Sequence, residues 1–121
     1  MIYSVGVDIT QNDRVKEIVD KWGERFVNRV FTEGESRYCL SRSSPICSLS
    51  GRFAAKEAFI KACGRPTAFK DIEVVSDTSG KPSLRLHDGA EGCLRALGIT
   101  ASHLSISHER QYSVAVVILE I

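Results

Sequence analysis

The chain has 121 residues, 43% hydrophobic and 26% charged, with a formal net charge of +1. That length and apolar content suit one domain, and with only 7% aromatic residues its core must be mainly aliphatic side chains and alanine. A net charge so near zero excludes a global field drawing the chain to nucleic acid or to a membrane, so electrostatic recognition has to come from a local patch.

No apolar run is long enough to span a bilayer. The segment Met1 to Asp8 lacks the basic and extended apolar regions of a signal peptide, so a cytoplasmic location is expected. Cys39, Cys47, Cys63 and Cys93 share no zinc or redox-dithiol spacing and read as reduced structural thiols.

Taken in order, Tyr3, Val5, Val7 and Ile9 alternate with Ile2, Ser4, Gly6 and Asp8. This is a strand with one apolar face and one face of small residues. Gly6 suits a close approach to the backbone, and Asp8 follows it near the strand end. Asp8, Thr10 or Asn12 could cap the helix that follows. In that helix Val15, Ile18, Val19 and Trp22 form an apolar stripe at helical spacing. Gly23 interrupts it, and a second piece from Glu24 to Val30 buries Phe26, Val27 and Val30. With the two pieces near collinear, Arg14, Lys21, Arg25 and Arg29 fall along one line. That line is either a solvated face or a dock for an acidic partner.

Thr32 and Glu35 have capping-box spacing and open a helix running to Leu40. After a polar connector, Pro45 suits the first turn of a long central helix spanning residues 46–63. Ala54, Ala55, Ala58, Phe59, Ala62 and Cys63 share one side of it, with Phe53 and Ile60 close to the other. Glu57 and Lys61 therefore emerge, one turn apart, through an almost wholly apolar helix. Such a helix is normally buried in a core or an interface. A carboxylate placed there needs a cation, for which a metal and Lys61 both qualify. Gly64 ends the helix, and Arg65 to Ala68 is a loop. Strands follow around Ile72–Val75 and Leu84–Leu86, joined by the turn Asp77 to Pro82, and His87 reads as a surface residue. A short helix, Ala90 to Leu97, stops at Gly98. The chain closes with a hairpin turning at His108–Gln111. Its last strand, Val114 to Leu119, is apolar on both faces and suits a central strand or a subunit interface.

Several of these stretches together resemble a known family. They are Gly6-Val7-Asp8-Ile9-Thr10, then Arg14, Phe31 to Tyr38, Gly51-Arg52-Phe53-Ala54-Ala55-Lys56-Glu57-Ala58-Phe59-Ile60-Lys61-Ala62, Asp71 to Val74, Gly80-Lys81-Pro82 and His103 to His108. In this order, over essentially the whole chain, they are similar to the short bacterial 4'-phosphopantetheinyl transferases, the holo-[acyl-carrier-protein] synthase family. The resemblance implies one α/β (α+β) domain over residues 1–121, with a mostly antiparallel sheet wrapped against the long helix. It implies transfer of the 4'-phosphopantetheine arm of coenzyme A to a serine of an acyl carrier protein, in fatty acid biosynthesis, leaving adenosine 3',5'-bisphosphate. Asp8 and Glu57 are the expected Mg²⁺ carboxylates. Lys61 and His108 are expected beside the pyrophosphate, and Arg52 on the coenzyme's phosphates. Mg²⁺ suits a reaction in which charge builds on a leaving phosphate, since it takes one or two carboxylates plus phosphate oxygens and water. Carrier proteins of this type are acidic along one helix, which offers a partner to Arg14, Lys21, Arg25 and Arg29. The family is typically a homotrimer with active sites between subunits.

One departure from the family pattern stands out. Where members usually continue with Gly-Thr-Gly and a longer loop, this chain has Gly64-Arg65-Pro66-Thr67. A non-catalytic carrier-docking module would not need Asp8, Glu57 and Lys61, all of which are present. A Mg²⁺-dependent hydrolase of coenzyme A would use the same residues and differ only in the acceptor.

Overall fold

Helix α4, Pro45–Cys63, is the axis of the computed structural model, which describes residues 1–121. Before it come strand β1 (Ile2–Gln11) and helices α1 (Asn12–Trp22), α2 (Glu24–Val30) and α3 (Glu33–Leu40). After it come a single 3₁₀ turn (Phe69–Asp71), strands β2 (Ile72–Ser76) and β3 (Pro82–Leu86), helix α5 (Asp88–Leu97), and strands β4 (Ala101–His108) and β5 (Tyr112–Glu120). Two antiparallel sheets form, one ordered β1-β5-β4 and one pairing β2 with β3. The mixed α/β architecture with antiparallel sheets around the long helix is the expected one. Strand β5, apolar on both faces, is the central strand of its sheet.

The packing of β1 reverses the usual arrangement. Its small-residue face lies inward, against α4: Gly6 is buried, and the Ser4 hydroxyl donates to the Ala62 carbonyl at 2.6 Å. A Cβ on Gly6 would stand 1.9 Å from the Ala58 carbonyl oxygen, so only glycine lets helix and strand backbones come this close. The apolar face turns outward instead, with Tyr3, Val5, Val7 and Ile9 42%, 56%, 53% and 66% exposed.

Helix α4 is apolar nearly all round because it is buried within its own chain. Its alanines, with Phe59 and Cys63, pack against Ala115, Val117 and Leu119 of β5 and against β2 and α5. Near its start, Leu49 joins a second core of Val15, Val27, Val30, Phe31 and Cys39 under helices α1 to α3. The four cysteines are free thiols, three of them buried. Cys63 and Cys93 stand against each other, and burial first, then the neighbouring thiol, pushes Cys63 up to about 12.

Within this apolar helix Lys56 is fully buried, a feature that periodicity did not single out. Its ammonium donates to Glu35 Oε1 at 2.8 Å and to the carbonyls of Phe69 and Ile72 at 2.9 and 2.6 Å. Glu35 also accepts from the Val74 amide and completes the capping box with Thr32. All three ammonium protons and both carboxylate oxygens are used, the condition under which a buried ion pair persists. Burial pulls the Lys56 ammonium below its ordinary range, with Glu35 opposing. The pair ties α3, α4 and β2 together.

Two local readings change. His87 is not a plain surface residue, because its Nε2 lies 2.9 Å from Glu73 Oε1, and Glu73 also accepts from the Thr32 hydroxyl. None of Asp8, Thr10 and Asn12 caps α1, whose N-cap is Gln11 with no side-chain hydrogen bond. Thr10 donates to Asp8 Oδ2 instead, at 3.0 Å.

Candidate active site

Asp8 lies on the inward face of β1, two residues beyond the Gly6 crossing, and the helix passing there is the part of α4 that bears Glu57 and Lys61. The Lys61 ammonium donates to Asp8 Oδ1 and to the Val7 carbonyl, both at 3.0 Å. The i,i+4 pairing of Glu57 with Lys61 is therefore not the one formed: Lys61 reaches across to β1. Burial raises the Glu57 carboxyl above its ordinary range, the Asp8 charge raises it further, and Lys61 partly offsets both. The ammonium bonds Asp8 alone, and Glu57 stands close enough to feel both charges without bonding either. The donor set is all hard oxygen, with no third His, Cys, Asp or Glu forming a cluster. That chemistry fits a hard cation that draws its remaining ligands from elsewhere.

The same sheet face continues from Asp8 towards His108. Cross-strand partners share a face, and Thr10 and His108 both pair with Ser113, one on each side of β5. His108 lines a cavity of about 400 Å³ together with Tyr38, Arg42, Ser48, Arg52 and Ser76. Arg52 is only 6% exposed and has no carboxylate partner. Its Nη2 donates to the Ser76 hydroxyl at 2.9 Å, and its guanidinium stands 4.3 Å from the centre of the Tyr38 ring, which Arg42 also covers at 5.3 Å. The Arg52 Nε is buried without an acceptor. A buried cation with a spare donor, ringed by serine hydroxyls, a second arginine and a histidine, is an environment for an anionic group. Arg52 precedes Glu57 by five residues, about 7.5 Å along the helix. Arg52 and Glu57 therefore lie on one stretch of α4, about 140° apart around its axis.

The structure thus joins Asp8, Glu57 and Lys61 in one cluster, and Arg52 and His108 in the adjacent cavity. Tyr38, Arg42, Ser48 and Ser76 were not legible as site residues. They come from separate elements, and only the motif position of Arg52 pointed towards them.

The basic residues of α1 and α2 are all exposed. Lys21 and Arg25 lie 5.2 and 5.7 Å from the Trp22 ring, and Arg25 and Arg29 border a shallow groove with Ile18, Trp22 and Phe26. Trp22, which the apolar spacing assigned to the buried stripe, is 49% exposed. The stripe therefore has an apolar centre. Arg14 lies two turns before Lys21 on α1, outside that groove.

Comparison with known proteins bears on the family and the fold. The family model for the 4'-phosphopantetheinyl transferase superfamily matches residues 4–117. A holo-[acyl-carrier-protein] synthase from Halothermothrix orenii is 49% identical over 99% of this chain and 98% of its own. The solved holo-[acyl-carrier-protein] synthase of Neisseria meningitidis superposes with a TM-score of 0.92 at 34% identity, covering both chains completely. The Bacillus anthracis synthase, solved in complex with CoA (3',5'-ADP), superposes with a TM-score of 0.81 at 36% identity over 99% of this chain and 97% of that one. With its motifs, fold and full-length likeness in agreement, this chain belongs to the 4'-phosphopantetheinyl transferase superfamily, in its holo-[acyl-carrier-protein] synthase branch.

Proposed function

We propose that this chain, as one domain over residues 1–121, moves the 4'-phosphopantetheine arm of coenzyme A onto a serine of an apo acyl carrier protein. The observation that carries the reading is the meeting of Asp8, Glu57 and Lys61 beside the Arg52 cavity. Pyrophosphate chemistry needs positive charge and hard ligands at one end and a cationic cradle at the other, and both stand on α4. The relative solved with coenzyme A supports that substrate.

Asp8 and Glu57 are the two residues that would hold Mg²⁺. When bound, that ion would supply Lewis-acid stabilisation to the phosphate carrying the developing charge. Lys61 adds a mobile ammonium to the same phosphates. Arg52, with Arg42 and the hydroxyls of Ser48 and Ser76, holds a phosphate of the coenzyme. His108, on the same cavity wall, steadies or protonates the departing bisphosphate. The nucleophile is the carrier's serine hydroxyl, and the leaving product is adenosine 3',5'-bisphosphate. The acidic carrier lies on Arg14, Lys21, Arg25 and Arg29, with Trp22 and Ile18 as the apolar centre of the dock. Rim charges of this kind steer and orient, while an exposed aromatic anchors.

The outward apolar face of β1, continued by the half-buried Val114, Val116 and Ile118 of β5, is a surface suited to cover by other copies of the chain. This supports a homotrimer with sites between subunits, working in the cytoplasm and serving fatty acid biosynthesis. No helix is long and apolar enough to cross a membrane.

The deciding experiment is mass spectrometry of an apo carrier protein incubated with this protein, coenzyme A and Mg²⁺. The expected result is one added phosphopantetheine per carrier, dependent on the metal. Consumption of coenzyme A with an unmodified carrier would assign a hydrolase instead, and an inert mixture would refute the reading.

A further inference from the structure

Asn12 is buried, opens α1, and does not cap its own helix. Its backbone amide donates to the Gln111 carbonyl at 2.9 Å. Its side-chain Nδ2 donates to the carbonyls of Glu109 and Arg110 at 2.9 and 3.2 Å. One residue thus takes three successive carbonyls of the β4–β5 turn. The remaining polar atom, Oδ1, accepts from the hydroxyl of fully buried Ser113 at 2.8 Å, and Ser113 is the cross-strand partner of His108. The Nδ2 also stands 3.7 Å from the sulfur of Cys47, another wall residue of the Arg52 cavity. The Asn12 amide and both polar atoms of its side chain thus bond the structure that carries His108, while its main chain begins the helix that carries Arg14.

We propose that Asn12 is a positioning residue for the transfer reaction. It locks the His108 turn to the start of the carrier-docking helix, so that His108 keeps a constant place in the cavity wall relative to a docked carrier. The proposal rests on the reading above, in which the cavity holds coenzyme A with His108 at its edge. The physical reason is that a two-stranded turn of exposed residues has no packing to hold it. Glu109, Arg110 and Gln111 are all exposed, and the turn's other hydrogen bonds are internal: the Glu109 carboxylate accepts from the amides of Gln111 and Tyr112, and the Glu109 amide donates to the Tyr112 carbonyl. Those bonds set the shape of the turn but not its place. Asn12 supplies the place. The released carbonyls can be taken by water, so losing the amide frees the turn without opening the core.

The test is a double-mutant cycle between Asn12→Leu and His108→Ala, read as kcat/KM for transfer to the carrier together with KM for each substrate. Asn12→Leu alone should lower kcat by between about tenfold and a hundredfold, the scale of a misplacement near 1 Å. The carrier KM should change less, because Arg14 and the groove remain. Combined with His108→Ala, the Asn12→Leu change should cost no more than about a further twofold. Asn12→Asp, which keeps the shape and the Ser113 bond but loses both donors, is the second variant and should show the same dependence on His108. Multiplicative losses in the double variants, or a kcat loss that tracks only the loss of folded protein, would overturn the proposal. If His108→Ala alone leaves transfer unchanged, the assignment of His108 falls first and this inference falls with it. A cycle that is multiplicative while His108→Ala is itself damaging removes Asn12's role alone.

Discussion

Gly6→Ala tests the link between packing and chemistry most directly. The added Cβ would sit 1.9 Å from the Ala58 carbonyl oxygen and 2.9 Å from both the Ala58 carbonyl carbon and the Ala62 amide nitrogen. These are backbone atoms of a buried helix, so no rotamer change relieves the contact. Against the 3.0 Å floor that real Cβ atoms keep, α4 has to retreat from β1 by about 1.1 Å. Overpacking of this kind costs about 3 kcal/mol, which for a domain of this size lowers Tm by roughly 10 °C. The retreat also carries Glu57 and Lys61 away from Asp8. Mg²⁺ holds its ligands at about 2.0–2.1 Å in a demanding octahedron, so a displacement near 1 Å breaks a shared site. Transfer measured well below the melting transition should then fall by about a hundredfold, with the Mg²⁺ concentration for half-maximal rate moved upward. Gly51→Ala is the control: its Cβ would meet the Ile106 Cγ2 methyl at 2.9 Å, a side chain that can give. That variant should melt lower by no more than a few degrees and keep its metal dependence. A Gly6→Ala protein with wild-type Tm and rate would show that the helix does not rest on β1 as described.

Glu57→Gln keeps the side chain's shape, so turnover should drop by orders of magnitude while Tm stays within a few degrees, because Glu57 makes no ion pair with Lys61 to lose; a near-normal rate in a Mg²⁺ titration would remove its assignment as a metal ligand. Arg14→Glu should raise KM for the carrier and leave that for coenzyme A unchanged, and steady-state kinetics varying each substrate in turn will tell. Val7→Glu places a charge on the outward apolar face and should shift light scattering from a trimer towards a monomer; unchanged mass would exclude this face from assembly. Glu73 accepts from His87 and Thr32, and although burial opposes it, those bonds hold its carboxyl below the ordinary glutamate range. Its contribution to stability is therefore present above the pKa it has when unfolded and is lost as pH falls through the lower folded value. Chemical denaturation across that acid range should show the gap between wild type and Glu73→Gln closing as pH drops, and a gap independent of pH would contradict it.

What the sequence alone determined about this protein follows from periodicity and local chemistry. The period of two in residues 2–9, the helical spacing of Val15 to Trp22, the Thr32–Glu35 capping box, Pro45 at the head of the long helix and the glycines at its end and at Gly98 are short-range signals, and the corresponding elements form. The motif around Glu57 and the Asp8 strand also pointed to their chemistry through a resemblance, because a reaction confines the residue types that can perform it. Tertiary structure alone decided which way the strand faces. Alternation shows that β1 has an apolar side; it does not show that Gly6 admits α4 on the other side and leaves Val5 and Val7 outward. Partner choice was equally out of reach: Lys61 could join Glu57 one turn away or Asp8 fifty-three residues distant, and only the crossing of helix and strand selects Asp8. Lys56 with Glu35, and Asn12 with the His108 turn, are pairings across 21 residues and about a hundred. No spacing rule encodes such contacts, since they arise where separate elements exclude water and each buried polar group must find a partner.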